Sequence, residues 1–311
     1  MVKNEFYFPS VSGLADIHAA SYFPEDKESV KAVLQIAHGM AEHLERYEAF
    51  AQYLCDRGIA VYINDHIGHG KSVSSRDELG YFGKKDGWKN FIEDCHKLTE
   101  IVKKENPGKP LVFFGHSMGS FVARAYSFKY ASDICGAVFC GTAGANPLAG
   151  VGKGIASLIS AVKGDHHRSK LIDKMSFGTY NKRCEGRTNF DWLTRDQDIV
   201  DKYIADDDCG FLFTVSGSHD LMSLLGFVSS KDWYSGFNKD LPVYLIAGEE
   251  DPVGAYGKGV KEVADGLKSA GVKDVSLKLY PDCRHEILNE SRVFADVAQG
   301  VADFVYRVCK I

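Results

Sequence analysis

Several features that mark other protein classes are missing from this chain of 311 residues. No apolar run approaches the roughly 20 residues needed to span a bilayer. The opening stretch, MVKNEFYFPSVSGLADIH, turns polar too early to hold the apolar segment of a secretory leader. No Lys/Arg cluster interleaves with aromatics, and a formal charge of −5 with a pI near 6.1 provides no field for a polyanion, which argues against nucleic acid as a partner. Internal repeats and low-complexity linkers are also absent. The eight cysteines (Cys55, Cys95, Cys135, Cys140, Cys184, Cys209, Cys283, Cys309) include no C-x-x-C pair, and several fall inside apolar patterns. They read as reduced, mostly core residues of a cytoplasmic protein.

What remains is a composition of 45% hydrophobic and 25% charged residues, enough for a large core. Apolar runs with the length of buried strands recur at Ala32–Ala37, Ile59–Asn64, Pro110–Gly115, Cys135–Cys140, Pro242–Gly248 and Val275–Tyr280. Helical periods lie between several of them. From Trp88 to Val102 the apolar positions Trp88, Phe91, Ile92, Cys95, Leu98, Ile101 and Val102 follow one helix face; another helix, marked by Leu44, Tyr47, Phe50 and Leu54, closes on Gly58. Such alternation predicts an α/β fold with a mostly parallel central sheet flanked by helices. It lapses between about Asn146 and Gly236, where a helical cap would be inserted over a site. The expected organisation is core (1–145), cap (146–236) and core again (237–311).

The motif G-x-S-x-G at Gly115–Gly119 arises by chance in roughly one chain in four of this size. Its context is what makes it informative: an apolar strand, Leu111–Phe114, enters it and a helix-compatible run leaves it. A nucleophile elbow has this form, with a strand-to-helix turn that exposes a serine oxygen, here that of Ser117. A serine hydroxyl needs a base and a group that orients the base. In the chain order Ser, acid, His, the loop EEDPVG after the strand Pro242–Gly248 supplies the acid. Asp251 is preferred because Pro252 favours an extended turn, with Glu250 as the nearer rival. His285 alone among eleven histidines follows that acid. The amides of Met118 and of Met40, in the loop HGMAEH, are the expected oxyanion donors. His116, His166 and His167 carry no assigned role, and His66 with His69 lack the acidic or cysteine partners that a metal site would need.

The segments HGMAEHLERY, DHIGHGKS, GHSMGS, GEEDP and RHEILNE together resemble the monoacylglycerol lipase and lysophospholipase branch of the α/β-hydrolase superfamily. The resemblance spans about residues 30 to 300. It implies a cofactor-free serine hydrolase with Ser117 as nucleophile, Asp251 as acid, His285 as base and the amides of Met40 and Met118 as the hole. Asp65, His66, Gly68, His69, Gly70 and Ser72 match a motif taken to support the site. One departure is Ala41, where the family usually carries glycine. A second is the cap, whose likeness is much weaker. The implied reaction is cleavage of a small acyl ester such as a monoacylglycerol or lysophospholipid. Ile155, Leu158, Ile159 and Leu224 are the expected substrate contacts, unless their stripe is only the inner face of the cap. The same stripe suits weak, transient contact with a membrane surface. A ligand-binding receptor or scaffold on this fold, a thioesterase and a peptidase are the competing readings.

Overall fold

A computed structural model of the chain describes residues 1–311. Eight strands form one sheet: β1 (Val2–Pro9), β2 (Asp16–Phe23), β3 (Ala32–Ala37), β4 (Ile59–Asn64), β5 (Leu111–His116), β6 (Gly136–Cys140), β7 (Val243–Gly248) and β8 (Val275–Tyr280). Their spatial order is β1-β2-β4-β3-β5-β6-β7-β8. From β4 to β8 neighbours are parallel, whereas β1 and β2 form an antiparallel hairpin that joins the edge of β4.

All six strands read from the sequence are present. The β1–β2 hairpin is an addition to that reading. As an edge element β1 has no continuous apolar run, and Lys3 pairs with both Glu5 and Glu48. Edge strands with charged outer positions resist pairing with other chains, and that polarity hides them from a search for buried strands.

The central strands are buried on both faces. Along β3, Val33 and Ala37 enter one core while Ala32, Leu34 and Ile36 enter the other, as period-two alternation requires. One face is covered by α2 (Trp88–Glu105), α3 (Met118–Lys129) and α9 (Lys258–Ser269), the other by α1 (Glu48–Cys55) and α10 (Phe294–Cys309). The expected helix from Trp88 is α2. Gly58 takes φ +72° just past α1, a conformation that glycine adopts freely.

Between β6 and β7 lie α4 (Ala149–Lys163), α5 (Lys170–Phe177), α6 (Gln197–Ala205), α7 (Val215–Val228) and α8 (Lys231–Gly236). This insertion is not uniform. Its first part holds two small cores, Ala156 with Ile172 and Val215, and Leu193 with Tyr203 and Cys209. From Phe213 onward it joins the main core through Leu224, Val228 and Trp233. The buried Arg124 of α3 secures that return: its guanidinium stacks on Trp233 and donates to Ala143 O (2.8 Å) and Val228 O (2.5 Å). The last helices of the expected 146–236 segment, α7 and α8, thus pack against the main core.

Candidate active site

The loops leaving the carboxyl ends of β3, β5, β7 and β8 converge on one edge of the sheet, the place where parallel sheets hold their ligands. Ser117 ends β5 in the turn into α3 with φ +55° and ψ −122°, a conformation costly for any residue with a side chain. The turn is this tight because the glycines flanking it permit close backbone approach. A Cβ at Gly115 would stand 2.0 Å from Gly119 O, and one at Gly119 would stand 2.0 Å from Ala37 O. A side chain at Gly115 would force α3 away from β5, and one at Gly119 would force it away from β3. The G-x-S-x-G spacing is thus a steric requirement here, and it leaves Ser117 half exposed at the α3 N-terminus.

Asp251 and His285 meet 34 residues apart in sequence: Asp251 Oδ2 lies 2.9 Å from His285 Nδ1. Both side chains are buried, and Asp251 Oδ1 accepts from Val253 N at 2.8 Å, which holds the second carboxylate oxygen in place. Glu250, the rival acid, turns away to pair with Arg195. The His285 loop crosses the end of β7 where Gly248 leaves room, since a Cβ there would fall 2.1 Å from Cys283 O. The insertion grips the same loop: Glu286 N donates to Leu193 O (2.7 Å), Arg284 Nη1 donates to Asp191 O (2.8 Å), and Trp192 packs on the imidazole at 5.2 Å.

Ser117 N donates to Cys140 O (2.9 Å), and the next residue, Gly141, lies against the His285 ring. Ser117 and His285 line one cavity without a hydrogen bond between them, a separation common in such pairs before substrate binds. Met40 and Met118 line the same cavity. Their amides donate to no protein group, and the Met118 amide opens α3, where the helix dipole adds positive potential.

Behind this edge is a charged cluster whose roles the sequence did not suggest. Buried Glu42 accepts from Gly39 N (2.5 Å) and Tyr47 Oη (2.8 Å), pairs with Arg46, and lies 3.5 Å from His116 Nδ1. Arg46 in turn binds Glu286 through two bonds of 2.8 and 2.7 Å. Burial would raise both carboxyls, yet Arg46 holds both below their ordinary range, with His116 assisting at Glu42. His116 is raised in spite of its burial because Glu42 faces it. The cluster ties the Met40 loop to the segment that carries His285. Glu42 and Arg46 are spaced i,i+4, a signal that was present in the sequence; Glu286 lies 240 residues from Arg46 and gave none.

The motif from Asp65 to Ser72 builds a floor beside the site. Asp65 accepts from Leu44 N, Lys71 N and His18 Nδ1, and Ser72 Oγ donates to Asp65 O. His38, His66 and His69 pack together in the interior with tilted and edge-on rings, and burial drives all three below the usual histidine value, to about 4 for His38 and about 3 for His69. Neutral rings packed on Phe82 and Phe91 serve as structure.

The cavity is about 630 Å³. Its walls beyond the reacting groups come from the insertion and are mainly apolar, including Ile155, Phe177, Trp192, Leu193 and Leu221. Of the four expected substrate contacts only Ile155 lines it. Leu158 is 70% exposed, Ile159 packs on Ala156 and Ile172, and Leu224 is fully buried in the main core. The reason is the seating of α4 on α7: Gly152 packs so close to Met222 that a Cβ would meet its Sδ at 2.6 Å. That contact rotates Leu158 outward.

The profile of the serine aminopeptidase S33 family, Hydrolase_4, matches residues 28–292. A monoacylglycerol lipase from Mycolicibacterium smegmatis is 28% identical over 291 residues, which is 93% of this chain and 92% of that protein. A highly thermostable carboxyl esterase from Bacillus coagulans, solved with glycerol, superposes with a TM-score of 0.92 at 30% identity and 99% coverage of both chains. A lipase solved in an open form gives 0.89 at 28% identity over the full length of both.

Proposed function

The chain belongs to the serine aminopeptidase S33 family of α/β-hydrolases, and on that premise we propose that it is a serine hydrolase of single-chain acyl esters, with monoacylglycerol or lysophospholipid as substrate. Ser117 Oγ attacks the ester carbonyl while His285 takes its proton. Asp251, 2.9 Å behind the ring, fixes the tautomer and stabilises the imidazolium. The amides of Met40 and Met118 bind the tetrahedral oxyanion, and His285 returns its proton to the departing alcohol. Water then attacks the acyl-enzyme by the same route.

The observation that carries this reading is the apolar cavity of about 630 Å³ opening on Ser117. That volume falls within the roughly 300–1,000 Å³ typical of small-molecule sites. An aminopeptidase would need a free carboxylate for the substrate ammonium. Glu42 and Glu286, the buried acids at the cavity wall, are both engaged by Arg46, so Asp173 of α5, which lines the cavity without an ion-pair partner, is the carboxylate that would have to serve, and the amide arm of the panel below tests it. The first part of the insertion acts as a cap. Its outer face carries exposed Leu148, Val151, Leu158 and Val162, suited to brief contact with a lipid surface.

Two measurements test the reading. Labelling by a fluorophosphonate probe should vanish in Ser117→Ala; persistence would remove Ser117 from its role. Across a panel of monoacylglycerol, lysophospholipid, acyl-CoA and aminoacyl amide, kcat/KM should favour the oxygen esters and vary with acyl length. A flat profile, or preference for the amide, would reject the substrate class.

A further inference from the structure

We infer that His43, Asp206 and Cys209 form a site for one thiophilic divalent cation of the Zn2+ type, placed where the cap meets the loop that carries the Met40 amide. In this chain only here do ligand atoms of three His, Cys, Asp or Glu side chains lie within 4.8 Å of one another. His43 Nε2 and Asp206 Oδ2 are already 2.9 Å apart. The set is imidazole, carboxylate and thiol, a combination suited to Zn2+, with a water completing the tetrahedron. Zn2+ bonds of about 2.0–2.3 Å place tetrahedral ligands about 3.5 Å apart, so closure needs a movement of about 1 Å.

Charge supports the assignment. One carboxylate and one thiolate neutralise a divalent ion. Arg46, the cation nearest Cys209, is already compensated by Glu42 and Glu286 and leaves little net repulsion. As a ligand Cys209 must lose its thiol proton. Metal binding displaces that proton to solvent, so uptake should weaken as pH falls.

The backbone around the site is held in place. Asp206 caps the end of α6, its Oδ1 accepts from Asp208 N at 2.8 Å, and Cys209 N donates to Asp206 O at 3.0 Å. Ala41 O accepts from Gly210 N (2.9 Å) and from Tyr203 Oη (3.0 Å), so cap and loop already meet beside His43. A bound ion adds a third tie there and fixes the cap against the hole, independently of which ester is cleaved.

The test reads the metal and not turnover. Chelator-treated protein is dialysed against ZnCl2, and bound zinc is measured by mass spectrometry; a parallel sample takes Co2+ as a spectroscopic stand-in. One equivalent should bind, the Co2+ form should show thiolate-to-metal charge transfer, and the thermal midpoint should rise with Zn2+. Cys209→Ser and His43→Gln should each weaken binding by about tenfold or more, while Cys309→Ser leaves it unchanged. Circular dichroism confirms that the variants fold. Absence of stoichiometric binding to the wild type, equal binding by the His43 and Cys209 variants, or a Co2+ form without charge transfer would overturn the assignment.

Discussion

Replacing Asp220 by Asn should stabilise the protein above neutrality while changing little in acid. Asp220 lies on α7 with 2% exposure, and its Oδ2 has no hydrogen-bond partner. It abuts the start of α2, where a Cβ on Gly87 would stand 2.6 Å from Oδ2. Burial pushes its pKa from 3.8 up to about 7, Asp86 adds to the rise, and the Gly87 and Trp88 amides with Lys153 oppose it. The folded value exceeds the unfolded one, so the folded chain binds this proton more tightly. The associated stability is fully present below pH 3.8 and is lost as pH rises from there through about 7. The full interval corresponds to roughly 4 kcal/mol, accumulating at about 1.4 kcal/mol per pH unit. Asparagine keeps the shape and never ionises. Urea denaturation across this pH range should show the two proteins nearly equal at the acid end, with the variant gaining steadily and levelling above neutrality. Curves that run parallel at every pH would refute the claim that this carboxyl is held protonated by burial.

Gly119→Ala should cost at least about 3 kcal/mol and abolish esterase activity, because its Cβ meets the Ala37 carbonyl at 2.0 Å; Gly150→Ala, with open space around it, is the matched control in the same denaturation assay. Ala41 holds φ +50°, a left-handed conformation costing about 1–2 kcal/mol for alanine, so Ala41→Gly should raise the denaturation midpoint despite glycine's greater chain entropy of about 0.5–1 kcal/mol. Arg46→Met leaves Glu42 and Glu286 buried without their shared cation and should cost about 3–5 kcal/mol, measured by urea denaturation at neutral pH, with Arg46→Lys recovering part of it.

The strands β3 and β4 begin and end where their apolar runs do, since burial on both faces demands uninterrupted hydrophobicity over a strand's length. The elbow was equally legible, because Gly115 and Gly119 are there to avoid backbone oxygens that any such turn brings near. The β1–β2 hairpin was not: it is held by pairing at the sheet edge, and along β1 the polar Lys3, Asn4 and Glu5 interrupt any apolar run. The cap contacts were read from apolar spacing along α4 and α7 alone. A helix with apolar residues on several sides carries no record of which side its neighbour will take, and the approach of Gly152 to Met222 turned Leu158 to solvent and left Ile155 in the cavity.

By itself the chain determined its alternation of strands and helices, the serine in its tight turn, and the order in which an acid and an imidazole follow. These are local or ordinal properties, and each rests on sterics or on hydrophobic period within a few residues. Only the tertiary structure decided that Asp251 and not Glu250 faces the imidazole, that Arg46 neutralises Glu42 together with Glu286, which lies 240 residues from it in sequence, and that His43 lies beside Asp206 and Cys209. Electrostatic partnership depends on distance in space and on the water removed between charges, and neither quantity is carried by sequence separation.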